Sequence, residues 1–431
     1  MPAADTIFAL SSGAPPAAIA IIRISGTRAF AAVSSLAGKL PPARRASLVT
    51  LRDPADAGIL DEALVLVFPA PNTATGEDLA ELHLHGGRAV VRAVERTLAA
   101  IPGLRQAEAG EFTRRAFLNG RMDLNEAEGL SDLLSAETEH QRRAAANMMG
   151  GAFTRAIEGW RQDLLLISAL TEAELDFSEE DDVDPQHKNS IRCKCNEIMS
   201  SILAVLQSPP AEKLRDGLRI VLGGPPNSGK STLLNALVAR DAAIVSDIAG
   251  TTRDVIEVPV AFAGIAFVLI DTAGVRDDSQ DTIEAIGIER AHNAFAGADI
   301  LLWLGRENDG PEHPALLEID AKSDDPNRHQ KSASGHLVSA KTGAGIPELL
   351  NIIIAMAKNM FGPADSYAIN ARQRALLAQC AEALEQAQVA DDWLIVGEQL
   401  RQARLALDAL TGRAHTEDLL DTVFGKFCIG K

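Results

Sequence analysis

The most informative part of this chain is residues 218–237, LRIVLGGPPNSGKSTLLNAL. The run Leu218 to Leu222 predicts a buried strand, and Thr232 to Leu237 continue with helical spacing. The loop between them has the spacing Gly-x-x-x-x-Gly-Lys-Ser, in which glycines let backbone amides turn inward onto phosphate groups. We expect Lys230 to supply positive charge to the outer phosphates and the Ser231 hydroxyl to ligate Mg²⁺. The sequence therefore predicts a P-loop nucleotide site between a strand and a helix.

Three further segments predict that the nucleotide is GTP. Asp271-Thr272-Ala273-Gly274 follows an apolar run, so that the aspartate reaches the Mg²⁺ shell and the glycine amide meets the γ-phosphate. Gly250-Thr251-Thr252 lies between this segment and the P-loop, and Thr252 is placed to close over Mg²⁺ as a switch. Ser339-Ala340-Lys341 is typical of the loop whose backbone amide holds the guanine carbonyl. The order of these segments along the chain indicates a GTPase.

The base-reading segment departs from the usual GTPase pattern. GTPases carry Asn-Lys-x-Asp before the last strand, and this chain has Ala321-Lys322-Ser323-Asp324. Asp324 retains the carboxylate that pairs with the ring N–H and amino group of guanine. Ala321 lacks the side-chain amide that contacts the base, so we expect guanine binding to weaken by about 1–3 kcal/mol.

The residues expected to carry out hydrolysis also differ from those of Ras-type proteins. A glutamine after Asp-Thr-Ala-Gly orients the attacking water in Ras, and this chain has Val275 at that position. A valine side chain cannot hold a water molecule, so either hydrolysis is slow or another group positions the water. Glu284 is a candidate, and an acid on the surface of a helix is the alternative interpretation of this residue.

Patterning along the chain predicts a multidomain protein. Residues 1–118 mix short β-branched runs with helical stretches, which indicates an N-terminal α+β domain. Residues 119–214 and 364–431 are rich in alanine, leucine and glutamate at helical spacing, and we interpret them as two parts of one all-α helical domain. Residues 215–363 alternate apolar strands with helices, as a Ras-like P-loop α/β GTPase domain does. The α/β domain is therefore predicted to be inserted into the helical one.

Composition and charge argue against several classes of protein. The 431 residues carry a formal net charge of −18, whereas nucleic-acid platforms need clustered lysine and arginine. Any RNA contact is therefore expected to use a local patch or a partner protein. Apolar runs of membrane-spanning length and a signal-peptide pattern are absent, so a cytoplasmic location without membrane contact is expected. The cysteines suit reduced thiols, and neither Cys193 with Cys195 nor His83 with His85 has the further ligands of a metal site.

Several motifs together resemble the family of tRNA modification GTPases called MnmE or TrmE. The GTPase region contributes Pro226 to Ser231, Gly250 to Asp254 and Ile286 to Arg290, and the chain closes on Phe427-Cys428-Ile429-Gly430-Lys431. The first domain adds Arg23 to Gly26, Thr75 to Asp78, His85 to Gly87 and Gly110 to Gly120. The resemblance covers essentially the whole chain. One departure is Ala14-Pro15-Pro16-Ala17-Ala18, which replaces a glycine-rich turn of the family.

For the GTPase site, the resemblance implies hydrolysis stimulated by K⁺. A monovalent cation beside the phosphates supplies the positive charge that an arginine finger gives elsewhere, and Glu284 positions the water. The catalytic residues are then Glu284 and Lys230, with Cys428 in the modification chemistry. The full predicted GTP site is Asn227, Ser228, Gly229, Lys230, Ser231, Thr232, Ser246, Asp247, Ile248, Ala249, Gly250, Thr251, Thr252, Asp271, Thr272, Ala273, Gly274, Lys322, Asp324, Ser339, Ala340 and Lys341. Within it, the implied metal ligands are Ser231 and Thr252 for Mg²⁺, and Asn227, Ser246, Ile248 and Thr251 for K⁺.

For the first domain, the resemblance implies dimerisation and a one-carbon donor. It implies a homodimer held by the N-terminal domains, with 5-formyl- or methylene-tetrahydrofolate bound by Arg23, Glu81, Arg121 and Lys431. Arginine and lysine suit the carboxylates of a folate, and a glutamate suits donor groups on its pterin ring. Without the resemblance, Arg23 and Glu81 would be interpreted as a surface ion pair. Cys428 would lie near the folate, where it either takes part in the chemistry or shapes the pocket.

The resemblance also implies a function for the whole chain. With an FAD-dependent partner of the MnmG (GidA) type, it would add a (carboxymethyl)aminomethyl-type group to the wobble uridine of certain tRNAs. GTP hydrolysis would drive the conformational cycle while the reduced folate supplies carbon. One alternative is a regulatory or ribosome-assembly switch GTPase without modification activity, although such proteins usually carry a basic RNA-binding module. Another is a folate-binding protein with a decayed GTPase domain, which the intact Lys230, Ser231, Thr252 and Asp271 argue against.

Overall fold

The computed structural model describes residues 5–176, 185–239, 243–244, 256–272, 292–326, 331, 335–361, 367–414 and 416–431. The chain forms two compact units. Unit 1 is made of Met1–Ser131 and Asp408–Lys431, and unit 2 of Asp132–Leu407. The domain boundaries placed at residues 118, 214 and 363 stay predictions.

The secondary structure alternates between sheet-forming and helical regions. The strands are β1 (Thr6–Leu10), β2 (Ile19–Ser25), β3 (Ser47–Arg52), β4 (Ile59–Phe68), β5 (Leu79–His85), β6 (Leu104–Gln106), β7 (Leu218–Gly223), β8 (Ala243–Ile244), β9 (Ile256–Phe262), β10 (Ile265–Asp271), β11 (Ile300–Trp303), β12 (Leu316–Asp320) and β13 (His336–Leu337). The helices are α1 (Ala29–Ala37), α2 (Arg88–Ala99), α3 (Glu111–Leu118), α4 (Leu124–Ser135), α5 (Glu139–Met149), α6 (Ala152–Asp176), α7 (Pro185–Leu206), α8 (Ala211–Asp216), α9 (Lys230–Val238), α10 (Ile346–Phe361), α11 (Ala371–Val389), α12 (Trp393–Thr411) and α13 (Glu417–Phe424).

Unit 1 is built on a sheet with strand order β3-β4-β5-β2-β1-β6 among the described residues. Its pairs are antiparallel except for β1 with β6. Successive side chains of a strand point to opposite faces, so Ile22 and Leu82 join the core beneath α1 and α2. Arg23 and Glu81 therefore lie on the other face of the same strands.

The chain ends of unit 1 pack against one another. Phe424 of α13 contacts Phe117 of α3 and Phe427, and the same cluster buries Leu124 at the start of α4. Beyond α13, Ile429 forms a bridge with Ala109. Gly430 has a φ of 92°, and a Cβ added there would lie 2.0 Å from the carbonyl oxygen of Leu10. Only glycine can come this close to the Leu10 carbonyl. The last residues therefore pack closely against β1 and the start of α3.

In unit 2, helices from before and after the second sheet pack together. α7 lies against both α6 and α11, with Cys195 and Cys380 fully buried. Burial raises the pKa of the Cys195 thiol to about 11 and that of Cys380 to about 12, so both remain protonated core residues at neutral pH. Gln141 of α5 donates hydrogen bonds of 3.0 Å to the carbonyls of Leu214 and Arg215, just before β7. These two bonds fix the chain just before it enters the second sheet.

The sheet of unit 2 has the strand order β13-β12-β11-β7-β10-β9-β8 among the described residues. β7 is central and runs parallel to β10 and β11, whereas β8 and β9 are antiparallel additions at one edge. Parallel strands present their carboxyl ends at one edge, where α/β proteins bind ligands. The end of β7 leads into the loop before α9, and the end of β10 carries Asp271.

The predicted fold class is confirmed: an N-terminal α+β region, a helical region, and a P-loop α/β sheet inserted between helices that pack together. The strand predicted from Leu218 to Leu222 and the helix predicted from Thr232 to Leu237 are both present. The apolar face of Val396, Leu400, Ala403, Leu407 and Leu410 is buried along α12. Among the described residues, none of the helices combines the length and apolar character needed to cross a bilayer.

Candidate nucleotide site and candidate folate site

The P-loop leaves β7 and ends at the first residue of α9, Lys230. The Lys230 side chain is buried, and its Nζ donates hydrogen bonds to the carbonyls of Gly224 at 2.8 Å and Pro225 at 3.0 Å. Gly224 has a φ of 142°, and a Cβ added there would lie 3.0 Å from the amide nitrogen of Gly305. The loop therefore wraps around the lysine ammonium group, which is held at the N-terminus of a helix where anions bind favourably.

A second corner of the site joins the ends of β7 and β10. The Ser231 hydroxyl donates a hydrogen bond of 2.5 Å to Oδ2 of Asp271, whose side chain is buried. Thr272 donates to the carbonyl of Leu222 at 2.8 Å, which fixes the chain just after Asp271. A hydroxyl and a carboxylate oxygen placed together are the hard donors that Mg²⁺ prefers. These residues therefore fit the Mg²⁺ that the sequence predicts.

The base-reading segment contacts the P-loop directly. Lys322 has a φ of 58°, and its Nζ donates a hydrogen bond of 2.7 Å to the carbonyl of Asn227. Asn227 itself has a φ of 64°, so both ends of this bridge have left-handed backbone conformations. The stem of Lys322 also lies 3.7 Å from where a Cβ would stand on Gly229. The predicted base-reading segment is thus joined to the P-loop.

Asp324 is oriented by the next predicted loop. The buried Ser339 hydroxyl donates a hydrogen bond of 2.7 Å to Oδ1 of Asp324 and accepts one of 3.1 Å from the amide of Thr342. The bond from Ser339 lowers the pKa of Asp324, with a smaller contribution from Lys341. The exposed Asp324 is therefore ionised at neutral pH, as pairing with guanine requires. Ala321 contributes a small apolar contact to the sheet core instead of an amide.

Part of the predicted GTP site lies outside the described residues. This applies to Ser246, Asp247, Ile248, Ala249, Gly250, Thr251, Thr252, Ala273, Gly274 and Glu284. Among the predicted residues that are described, Ser228 has a buried hydroxyl without a hydrogen-bond partner in the described part of the chain. Thr232 is exposed on the first turn of α9, and Ala340 and Lys341 follow Ser339. The roles assigned to all these residues stay predictions.

The open face of the unit 1 sheet carries the first two predicted folate residues. Arg23 donates to Oε1 of Glu81 through Nε at 3.1 Å and Nη2 at 2.8 Å, and the two residues are cross-strand neighbours in β2 and β5. Oε2 of Glu81 lies 3.4 Å from Nε2 of His83. The Arg23 guanidinium also lies 5.8 Å from the ring centre of Phe112 on α3. The ion pair is thus half-enclosed between the sheet and a helix, and its charged groups suit a folate.

The C-terminal residues approach this ion pair through Phe112. The Phe112 amide donates a hydrogen bond of 3.2 Å to the carbonyl of Lys431, and the amide of Gly110 is 3.5 Å from the carbonyl of Cys428. The Cys428 side chain is exposed. Arg121 packs beside Gly76, where an added Cβ would lie 3.3 Å from its Cγ. The structure therefore brings Arg23, Glu81 and the backbone of Lys431 around Phe112, and Arg121 against the neighbouring loop.

A buried ion network connects the first-domain motifs, and the sequence reasoning missed it. Arg115 is held by Glu77 at 3.1 Å, by Asp5 at 2.9 Å and by Glu111 at 2.9 Å. The Ser25 hydroxyl donates to Oε2 of Glu77 at 2.8 Å. Apart from Asp5, these residues belong to the motif segments Arg23–Gly26, Thr75–Asp78 and Gly110–Gly120. The sequence did offer a signal, because an arginine and two glutamates occur in these motif segments. A buried arginine needs carboxylate partners, so the motifs could have been predicted to meet.

The histidines on the open face have carboxylate neighbours. His85 Nδ1 is 2.7 Å from Oδ1 of Asp61, and His83 is beside Glu81 as described. Within the described ranges, no cluster of three or more histidine, cysteine, aspartate or glutamate side chains has the arrangement of a metal site.

Comparison with known proteins identifies the family. The model of the MnmE helical domain matches residues 124–428, and that of the GTP-binding protein TrmE N-terminus matches residues 6–121. The tRNA modification GTPase MnmE of Erythrobacter litoralis is 54% identical over 99% of this chain and 100% of its own length. The protein of that name from Novosphingobium aromaticivorans is 53% identical over 99% of this chain and 100% of its own length. The one from Rhizorhabdus wittichii is 53% identical over 100% of this chain and 97% of its own length. A solved structure of Era with MgGDPNP and 16S ribosomal RNA nucleotides covers 48% of this chain and 98% of its own at 18% identity, with a TM-score of 0.25. The full-length identity means that this chain belongs to the tRNA modification GTPase MnmE (TrmE) family.

Proposed function

We propose that this protein hydrolyses GTP at the carboxyl edge of the unit 2 sheet and uses that cycle in modifying tRNA. The observation that carries the proposal is the corner formed by Lys230, Ser231 and Asp271, with Asp324 oriented for guanine by Ser339. The family relationship supports the tRNA substrate, since the relatives are named tRNA modification GTPases.

The site residues have separate proposed roles in binding the phosphates, Mg²⁺ and the guanine base. Lys230, fixed by two carbonyls at the start of α9, balances the charge of the outer phosphates. Ser231 and Thr252 are the proposed Mg²⁺ ligands, and Asp271 holds the Ser231 hydroxyl in place. Bound Mg²⁺ neutralises charge that develops on the phosphates. Asp324 selects guanine because its carboxylate accepts from two nitrogen donors that adenine does not offer.

Hydrolysis needs a group other than Val275 to position water. We assign this to Glu284, and we assign the role of an arginine finger to K⁺ held by Asn227, Ser246, Ile248 and Thr251. The left-handed backbone of Asn227, fixed by Lys322, supports a dedicated position for this residue in the loop. A fixed cation beside the phosphates stabilises the transition state electrostatically without a partner protein.

The open face of unit 1 is the proposed surface for homodimerisation and folate binding. Leu48, Leu64 and His83 are consecutive cross-strand neighbours on this face, and the two leucines are 67% and 44% exposed. Exposed apolar side chains on a sheet are typical of interaction surfaces. Arg23 and Glu81 lie on the same face, so dimerisation would enclose them. We propose that Arg23, Glu81, Arg121 and Lys431 bind 5-formyl- or methylene-tetrahydrofolate there.

In this proposal the tRNA reaction requires a second protein. An FAD-dependent partner of the MnmG type supplies redox chemistry, and the reduced folate supplies carbon for the (carboxymethyl)aminomethyl-type group on the wobble uridine. The Cys428 side chain is exposed, and its backbone carbonyl accepts a hydrogen bond from Gly110 at the start of α3, which supports a role for this thiol in that chemistry. The cytoplasm is the proposed compartment, where tRNA and reduced thiols occur together.

GTP turnover by the purified protein in K⁺ and in Na⁺ tests the proposal, with Glu284→Ala alongside and ATP as the substrate control. We expect GTP-specific turnover that falls at least about 100-fold in Na⁺ and in the Glu284 variant, as loss of a transition-state contact does. Slow turnover that is indifferent to both changes would refute the cation mechanism and favour the switch-GTPase alternative. Wobble-uridine analysis of tRNA incubated with the protein, an MnmG-type partner, GTP and folate then tests the modification step.

A further inference from the structure

One face of α2 carries a row of arginines. The helix reads RAVVRAVERTLA, which places Arg88, Arg92 and Arg96 four residues apart, and all three are exposed. At about 3.6 residues per turn, this spacing puts them on one face, opposite the buried Val91, Val94 and Leu98. The remaining exposed positions nearby are the small Ala89 and Ala99. A positively charged strip about two turns long results.

The row is unfavourable for the isolated helix. Like charges four residues apart repel, by about 0.2–0.5 kcal/mol per pair in model helices. Arg88 also stands in the first turn, where the helix dipole disfavours a positive charge. The acid on this helix, Glu95, is half-buried, and burial raises its pKa although Arg92 opposes the rise. Arg96 stands in the last turn, where the helix dipole favours a positive charge, but the folding of α2 does not explain a row of three arginines.

Several other surface cations of the protein are paired with acids. Arg142 and Arg143 both pair with Glu139 at 2.7 Å, Arg401 pairs with Glu398 at 2.8 Å, and Lys213 pairs with Asp299 at 2.6 Å. The guanidinium groups of Arg92 and Arg96 make no close ion pair or hydrogen bond with any residue in the described ranges, and Arg92 has only an electrostatic interaction with Glu95 on the same helix. In a chain with a net charge of −18, these two neighbouring arginines on one helix face are available to an anionic ligand.

The position of α2 leaves the row accessible. The helix packs on the core face of the unit 1 sheet, against β1, β4, β5 and β6. The exposed leucines and the Arg23–Glu81 pair occupy the opposite face. A homodimer formed through the open face would therefore leave the arginines of each subunit facing outward.

We propose that the exposed face of α2, with Arg92 and Arg96 at its centre, binds the phosphate backbone of the tRNA. The proposal rests on the proposed function for its ligand. Arginine guanidinium groups recognise phosphate through paired N–H donors, and unpaired arginines need not break an ion pair to do so. Intervening alanines let a sugar-phosphate chain approach closely. Such contacts position the RNA without reading its sequence. The acidic protein thus holds RNA through a local patch.

The test compares two double variants that remove the same charge. Arg92→Gln/Arg96→Gln changes the row, and Arg142→Gln/Arg143→Gln removes two arginines that are paired with Glu139. Arg88 is kept because its Nε bonds the carbonyl of Pro15 at 3.2 Å. Binding of fluorescently labelled, unmodified tRNA transcript is measured by anisotropy between 50 and 300 mM KCl (roughly the range over which phosphate contacts weaken).

We expect the α2 variant to bind tRNA roughly tenfold more weakly at 100 mM salt, as loss of two charged contacts gives. The slope of log Kd against log salt should fall by about 1.4–1.8. The paired-arginine control should keep its slope and lie within about twofold of the wild type. Thermal unfolding of the α2 variant should be unchanged or occur at a higher temperature, since the repulsion within the row is relieved.

Three results would overturn the inference. Unchanged tRNA affinity in the α2 variant, with normal wild-type binding, refutes it and leaves the proposed function standing. Equal weakening in both double variants means that net charge alone matters and also refutes it. A wild-type protein that binds no tRNA refutes both this inference and the tRNA part of the proposed function. Vesicles containing phosphatidylserine serve as a further probe, and loss of vesicle binding with intact tRNA binding would assign the row to a lipid surface instead.

Discussion

Replacing Arg115 with methionine should destabilise unit 1 far more than replacing its neighbour Arg114. The Arg115 side chain is only 5% exposed and bonds three carboxylates, of which Glu77 is 13% exposed. Removing one partner of a buried ion pair costs about 3–5 kcal/mol because the other charge stays buried. The low end, about 3 kcal/mol, applies here because Asp5 is 37% exposed and keeps a second bond from Arg105. Arg114→Met is the matched control, since Arg114 pairs with Glu417 and Asp421 on the surface.

Hydrogen exchange of the β1 and α3 amides measures the difference. A loss of about 3 kcal/mol corresponds to roughly 100-fold faster exchange, while Arg114→Met should change exchange by less than about fivefold. Equal rates in the two variants would refute the claim that buried carboxylates depend on Arg115.

The same network predicts a pH dependence. Burial alone would raise the pKa values of Asp5 and Glu111, but hydrogen bonds from Arg105 and Arg115 outweigh it and lower both below their ordinary 3.8 and 4.5. For lowered values, the stabilisation is fully present above the unfolded pKa values and is lost as the pH falls through the folded ones. The difference between wild type and Arg115→Met should therefore be constant above about pH 5 and shrink below it. A difference that grows on acidification would contradict this assignment.

Two further predictions concern the thiols and the base-reading loop. Iodoacetamide at pH 8 should label the exposed Cys193 and Cys428 in the folded protein. It should label Cys195 and Cys380 only after unfolding, because both are buried and their pKa values are about 11 and about 12. Peptide mass spectrometry measures the labelling, and equal rates at all four cysteines would contradict the burial. Ser339→Ala should raise the Kd for GTP about fivefold to tenfold, because Asp324 and the Thr342 amide each lose a bond, and equal Kd values in calorimetry would contradict this.

Local patterns predicted the GTPase region well because its signals are contiguous. The strand, loop and helix around Lys230 follow one another directly along the chain. Ser231 and Asp271 were each predicted to serve Mg²⁺, but the hydrogen bond between them was not predicted. Glu284 and the segment around Thr252 lie outside the described residues, so their roles stay predictions.

Contacts between residues far apart in the sequence were not predicted from local patterns. Arg115 meets Asp5 across 110 positions and Glu77 across 38, and no periodic pattern encodes such a meeting. The bridge from Lys322 to the Asn227 carbonyl joins two motifs that sequence reasoning treated as independent. The absence of a close ion pair at Arg92 and Arg96, within the described part of the chain, likewise depends on the positions of acidic residues distant in sequence.

The Lys322 bridge has a thermodynamic consequence. Lys322 donates a hydrogen bond to the carbonyl of Asn227 in the P-loop. Guanine binding that orders the segment around Lys322 should therefore also order the P-loop. Affinities for the base and for the triphosphate should then be cooperative, and a double-mutant cycle between Lys322 and Lys230 should give a non-zero coupling energy. Discrimination against ATP would arise partly from a phosphate loop that the wrong base leaves less ordered. In this protein, the specificity for the base and the strength of phosphate binding would both depend on the same ordering of the two linked loops.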